Sequence, residues 1–126
     1  MLEPGLEATV EERVTDAMTA AALGSGDVPV LGTPAVVALA ERAACAAIDG
    51  RLGGGETSVG TRIELSHVAP TTVGGAIAAH ARLAEIDGPR LVFEVSVSDG
   101  SGEVARGTHH RVVVERDRFV RSARGR

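Results

Sequence analysis

One stretch decides most of what this chain can fold into: Thr33 to Gly50, a helix whose apolar side is largely alanine. Thr33 suits an N-cap, Pro34 suits the first helical position, and Gly50 or Gly53 to Gly55 stop the element. At 100° per residue Val37, Ala40, Ala44, Ala47 and Ile48 fall on one arc, with Arg42 and Asp49 opposite. Side chains that small let a neighbouring layer come very close to the helix. A sheet wrapped around it is the natural partner.

The rest of the chain is mostly strand-like. Leu6, Ala8, Val10 and Val14 alternate ahead of a short Ala-rich stretch, Thr15 to Leu23, and a loop that runs to Gly32. After the helix, Val59, Thr61, Ile63, Leu65 and His67 share one phase against Arg62, Glu64 and Ser66. Ile77, Ala79, Ala81 and Leu83 alternate with His80 and Arg82. Asp87-Gly88-Pro89 then reads as a hairpin turn into Leu91, Phe93, Val95 and Val97. The last strand, Val104 to about Val114, alternates poorly, and Gly107 inside it predicts a bulge or a close backbone approach. Strand, helix, then four strands on hairpin-length connections make an α+β arrangement, an antiparallel sheet of about five strands around one long helix. With 126 residues and no repeat or linker, 1–126 is read as one domain. One helix covers only part of such a sheet and edges need protection, so a homo-oligomer is expected.

Composition removes several functions. All 13 basic residues are Arg, and 17 acids give a net charge of −4, against a generic nucleic-acid binder. Two aromatics, Phe93 and Phe119, make no base-stacking platform. A single cysteine makes no internal disulfide and no His/Cys cluster has metal-ligand spacing, so neither metal nor cofactor is expected. No apolar run reaches the ~20 residues of a membrane span, and Met1 to Val10 lacks the basic and apolar regions of a secretory signal. The expected setting is the cytoplasm.

Three polar residues stand out. Glu41 lies on the flank of the apolar arc, where a carboxylate is partly withdrawn from water; it either acts as a base, or is a boundary residue that reaches out to water or pairs with a nearby Arg. His67 continues the inward phase of Ile63 and Leu65, as a satisfied core histidine or as a proton-transfer group. Thr33 stands eight residues before Glu41, about 12 Å along a helix axis, at an end whose free N–H groups suit an oxyanion. Glu41 and His67 on one layer interface make a shared acid–base site the expectation.

The run Thr33-Pro34-Ala35-Val36-Val37-Ala38-Leu39-Ala40-Glu41, then Ser58-Val59-Gly60-Thr61, His67-Val68-Ala69-Pro70-Thr71 and Gly107-Thr108-His109-His110-Arg111, resembles the fluoroacetyl-CoA thioesterase family. These are hotdog-fold acyl-CoA thioesterases, and the likeness covers roughly Asp27 to Phe119. It implies that Thr33, Glu41 and His67 match catalytic positions and that Gly60 and Arg111 match positions that contact substrate. It also implies a homodimer whose sheets join, with acyl-CoA bound near the interface. The implied reaction is hydrolysis of an acyl thioester, with Glu41 as nucleophile or as general base. In the loop before Thr33, where the fluoroacetyl-specific enzyme has lid phenylalanines, this chain has Gly24, Asp27 and Leu31, so a range of short acyl groups is expected. The other readings are a non-catalytic hotdog protein that binds acyl-CoA or a small hydrophobic ligand, and a hotdog hydratase, whose Gly-Asp-x-Asn-Pro pattern does not follow Gly26-Asp27. Cys45 is expected as a small buried hydrophobe, and about 116–126 as a solvated basic tail, with binding of CoA phosphates as the sharper alternative.

Overall fold

The computed structural model, which describes residues 1 to 126, has one long helix and moves its start. The chain order is β1 (Glu7–Arg13), a 3-10 turn (Asp16–Met18), α1 (Ala20–Leu23), α2 (Thr33–Ala47), β2 (Glu56–His67), β3 (Ala76–Asp87), β4 (Arg90–Asp99), β5 (Gly102–Glu115) and α3 (Arg116–Arg124). Gly32, not Thr33, is the N-cap of α2, so the Thr33 hydroxyl is free for another use. Pro34 has no N–H, and those of Ala35 and Val36 both bond to the Gly32 carbonyl. The supply of free donors expected at this helix start is therefore largely consumed.

The buried face of α2 is Val36, Leu39, Ala40, Ala43, Ala44 and Ala47, with Ile48 just beyond it. That face is rotated from the expected arc, because the larger Val36 and Leu39 turn into the core and leave Val37 half-buried. Val37, Glu41 and Cys45, spaced four apart, become the flank. Cys45 is exposed there, not buried as expected.

The sheet has the order β1-β3-β4-β5-β2, and every pairing is antiparallel. Ile77, Ala79, Ala81 and Leu83 of β3 and Leu91, Phe93, Val95 and Val97 of β4 face α2 and are buried, in the expected phase. In β5 the inward positions include His109 and Arg111, both buried, which is why its alternation looked poor. Gly107 confirms the close approach: a Cβ there would fall 1.8 Å from the Glu64 carbonyl oxygen of β2.

β2 is an edge strand with an irregularity that positions the site. Its register with β5 shifts between Gly60 and Arg62, so Thr61 is an extra residue. The extra residue reverses side-chain parity. Ser58 and Gly60 therefore turn toward the α2 side together with Ile63, Leu65 and His67, and Val59 and Thr61 leave the face they were expected to share. At the C-terminus the expected solvated tail is helical, α3, with no buried residue.

Candidate active site

Thr33 and His67 meet where the first turn of α2 faces the end of β2. The Thr33 Oγ1 lies 2.8 Å from His67 Nδ1. The other ring nitrogen, Nε2, is buried and has no hydrogen-bond partner. A buried polar atom left unpaired is costly, so such an atom in a native fold is commonly reserved for a water or a ligand. A cavity of about 220 Å³ opens beside this ring, walled by Val30, Leu31, Val68, Ala69 and Pro70.

Two turns further along α2, Glu41 enters a second group. Its Oε2 accepts from Arg111 Nη1 at 3.2 Å. The same guanidinium donates through Nε to Ser58 Oγ at 2.8 Å and through Nη2 to the Ser58 carbonyl at 3.0 Å. Nη1 also lies 3.1 Å from His109 Nε2. His109 Nδ1 lies 2.8 Å from the Arg62 carbonyl, an acceptor, so Nδ1 carries the proton and Nε2 accepts from Arg111. Burial, and secondarily the Arg111 charge, push the His109 imidazole below its ordinary pKa, while the Arg62 carbonyl and Glu41 oppose this less strongly. The ring is thus neutral at pH 7 and acts as an acceptor that orients the guanidinium. The buried cation is neutralised by a carboxylate that is itself 39% exposed and so stays reachable from outside.

Gly60 completes this group by having no side chain. A Cβ there would lie 2.4 Å from Glu41 Oε2, 3.2 Å from His109 Cε1 and 3.4 Å from Arg111 Nη1. A cavity of about 320 Å³ is lined by Glu41, Gly60, Thr61, Arg62, Ile63 and His109.

Of the five residues singled out from sequence, the structure joins Thr33 with His67, and Glu41 with Gly60 and Arg111. It does not join the pairs to each other within one chain. Glu41 and His67 line different cavities, so the expected shared cleft is absent from the single chain. Thr33 and Glu41 stand two helical turns apart on α2, and Gly60 and His67 are widely separated along β2. His109 and Ser58 were not singled out as site residues. The signs of His109 were the broken alternation of β5 and its place in the Gly107 to Arg111 run, and Ser58 works as much through its backbone carbonyl as through its hydroxyl.

A family model described as fluoroacetyl-CoA-specific thioesterase matches residues 14–117. A fluoroacetyl-CoA thioesterase of Streptantibioticus cattleyicolor is 38% identical over 90 residues, 71% of this chain; the match spans 65% of that relative's own length. Among solved structures, the fluoroacetyl-CoA thioesterase FlK superposes with a TM-score of 0.93 at 31% identity, covering 100% of this chain and 98% of that one. A threonine-to-serine variant of FlK in complex with acetyl-CoA gives 0.93 at 30% identity, with 98% of each chain covered.

Two predictions follow from this geometry. Gly60 has an ordinary backbone conformation and the nearest atom to its missing Cβ is the end of a flexible side chain. Gly60→Ala should therefore fold, with stability within about 1 kcal/mol of the parent, yet push the Glu41 carboxylate aside. The rate of any reaction that uses Glu41 should fall at least ~10-fold, measured as kcat/KM beside the thermal midpoint. For His109 the sign is set by its depressed pKa: the unfolded chain binds the proton more readily, so stability is fully present above about pH 6.5 and is lost as pH falls below it. Denaturant unfolding between pH 7.5 and 5.5 should show that loss in the parent and a flatter profile in His109→Gln.

Proposed function

The chain belongs to the fluoroacetyl-CoA-specific thioesterase family, and from that premise we propose that it hydrolyses short acyl-CoA thioesters to a carboxylate and free coenzyme A. The observation that carries the proposal is the Thr33–His67 hydrogen bond with a buried, unpartnered Nε2 behind it. In thioester hydrolysis the carbonyl carbon gains an oxygen, the C–S bond breaks, and the departing thiolate needs a proton. Glu41 delivers the attacking electron pair, either from its own carboxylate or through a water whose proton it takes. Only one of its oxygens is bound by Arg111, so the other is open to the reaction. His67 supplies or relays the proton that the thiolate takes, through the nitrogen that no protein group occupies. Thr33 fixes the ring and offers a hydroxyl to the reacting carbonyl.

The two halves come together in a homodimer. β2 is twelve residues long and lies at the sheet edge, with one side of its backbone unpaired. Such an edge is a template for a second copy. Antiparallel pairing of two β2 strands about a two-fold axis midway between Gly60 and His67 carries each chain's His67 toward the other chain's Gly60 and Glu41. Each complete site then draws Thr33 and His67 from one subunit, Glu41, Gly60 and Arg111 from the other. An exposed free thiol at Cys45 suits a reducing compartment, and we place the enzyme in the cytoplasm.

The acyl pocket is the cavity beside His67, whose volume of about 220 Å³ exceeds what a two-carbon acyl group fills. The small side chains of Ala40, Ala44 and Ala47 suggest from sequence extra room for acyl chains, but they do not enlarge it, because they are packed into the core against the sheet. Nor is the preceding loop loose throughout. Leu31 is 1% exposed and donates its N–H to the Thr71 carbonyl, while the Val28 and Val30 carbonyls accept from α1. What covers the pocket is aliphatic, with no aromatic side chain in the segment Gly24 to Gly32.

Glu41→Gln keeps the shape and removes the base, so release of free thiol from acetyl-CoA should fall at least ~100-fold in a folded protein. A variant within a few-fold of the parent would end the assignment. Even a tight apolar pocket discriminates by only about 1–3 kcal/mol per methylene-sized difference, and a lid without aromatic side chains should lose most of that, so fluoroacetyl-CoA should exceed acetyl-CoA in kcat/KM by less than about tenfold. Propionyl- and butyryl-CoA should also be turned over. A preference of several orders of magnitude for the fluorinated substrate would contradict an aliphatic, permissive pocket.

A further inference from the structure

α3 buries nothing, yet it is a well-formed helix. Glu115 caps it, its carboxylate accepting from the Arg118 N–H, and the Arg116 N–H ties it to the Gly55 carbonyl at the start of β2. Arg116, Val120 and Arg124 recur every four residues and, with Asp117 and Arg121, line a hollow of about 460 Å³. Elsewhere Arg42, Arg62, Arg82, Arg106 and Arg111 each face a carboxylate. None of the guanidiniums of α3 makes an ion pair. Three guanidiniums without an ion pair outnumber the single Asp117 carboxylate on this helical face and create a local positive field on a chain of net charge −4. An anion with several acceptor oxygens complements that field, and the planar fork of Arg matches phosphate.

The hollow adjoins a second cleft on the side of the Glu41 group. Arg116 also lines a cleft of about 350 Å³ with Cys45, Asp49, Glu56, Thr57 and Ser58. Ser58 is the residue that holds Arg111, so this cleft begins behind the Glu41 group and ends at α3. From Gly60 to Glu56 is four residues of strand, roughly 13 Å. The pantetheine arm of coenzyme A separates its sulfur from its diphosphate by a comparable reach. Asp49 and Glu56 on the cleft walls repel phosphates while their polarity suits the neutral amides of that arm. Charge is thus sorted along the path, with a polar, weakly acidic passage first and arginines at the end.

Resting on the acyl-CoA reading above, we propose that Arg116, Arg121 and Arg124 of α3 bind the phosphates of the substrate's coenzyme A, with the pantetheine arm in the cleft between α3 and Ser58. These residues contribute binding that is equal in ground and transition states, so their loss raises KM and spares kcat.

The test compares the parent with Arg116→Gln/Arg121→Gln/Arg124→Gln on two substrates, acetyl-CoA and acetyl-pantetheine, which lacks the nucleotide. The expected result is a KM for acetyl-CoA raised at least ~10-fold with kcat within about twofold, and a far smaller change for acetyl-pantetheine. A KM that moves equally for both substrates, or for neither, overturns the proposal. Calorimetric titration with adenosine 3′,5′-bisphosphate decides the matter without turnover: binding should weaken at least ~10-fold in the triple variant. Equal binding by parent and variant, or parent affinity no greater than for inorganic phosphate, overturns it as well. A parent that hydrolyses neither thioester would instead refute the thioesterase reading, leaving the titration to judge α3. Circular dichroism checks that the helix persists, and Arg121→Gln alone serves if it does not.

Discussion

One extra residue in β2 governs the arrangement of this site. Gly60 and His67 are seven positions apart, an odd number, and in a regular strand they would point to opposite faces of the sheet. The bulge at Thr61 restores both to the side of α2. It also leaves the Arg62 carbonyl where the His109 ring can donate to it. That bond sets the tautomer of His109, which sets the orientation of Arg111, which holds Glu41. Removing the irregularity would break this chain at its first link.

The Arg111 group shows how the fold tolerates a buried cation beside its core. Burying a charge is costly unless it is paired and its hydrogen bonds are met. Here the guanidinium, 7% exposed, reaches a hydroxyl and a carbonyl of β2, an imidazole of its own strand and a carboxylate of α2. Four contacts from two strands and a helix fix it in one pose. The cost of desolvation is offset, and the result is a carboxylate aimed at a glycine-lined opening. Gly60 contributes by absence, since the space a methyl group would fill is where the Glu41 oxygen sits.

Much of this was legible in the sequence, and the misses have physical causes. The amphipathic helix and the β3 and β4 alternation announced themselves because their inward residues are apolar, and the layer order followed. The inward face of β5 was unreadable because it carries His109 and Arg111, whose burial depends on partners from β2 and α2 that no local pattern encodes. The β2 phase was read correctly from Ile63 to His67 and wrongly at Val59 and Thr61, since hydropathy does not mark a bulge. Thr33 had the composition of a cap, but Gly32 performed that role and released the hydroxyl to His67. The arginine run looked like a solvated tail; the Glu115 cap and Asp117, four residues before Arg121, favour the helix that formed.

In the proposed homodimer two half-sites, separate in each chain, become one where two β2 edges meet. Mixing two inactive variants, Glu41→Gln and His67→Ala, tests this directly after brief denaturation and joint refolding. A mixed dimer would contain one site with both residues intact, so random reassociation should restore about a quarter of the parent's thiol-release rate. Activity that stays at the level of the separate variants, with mixed dimers verified by mass, would show that each site is built from a single chain and would contradict the account.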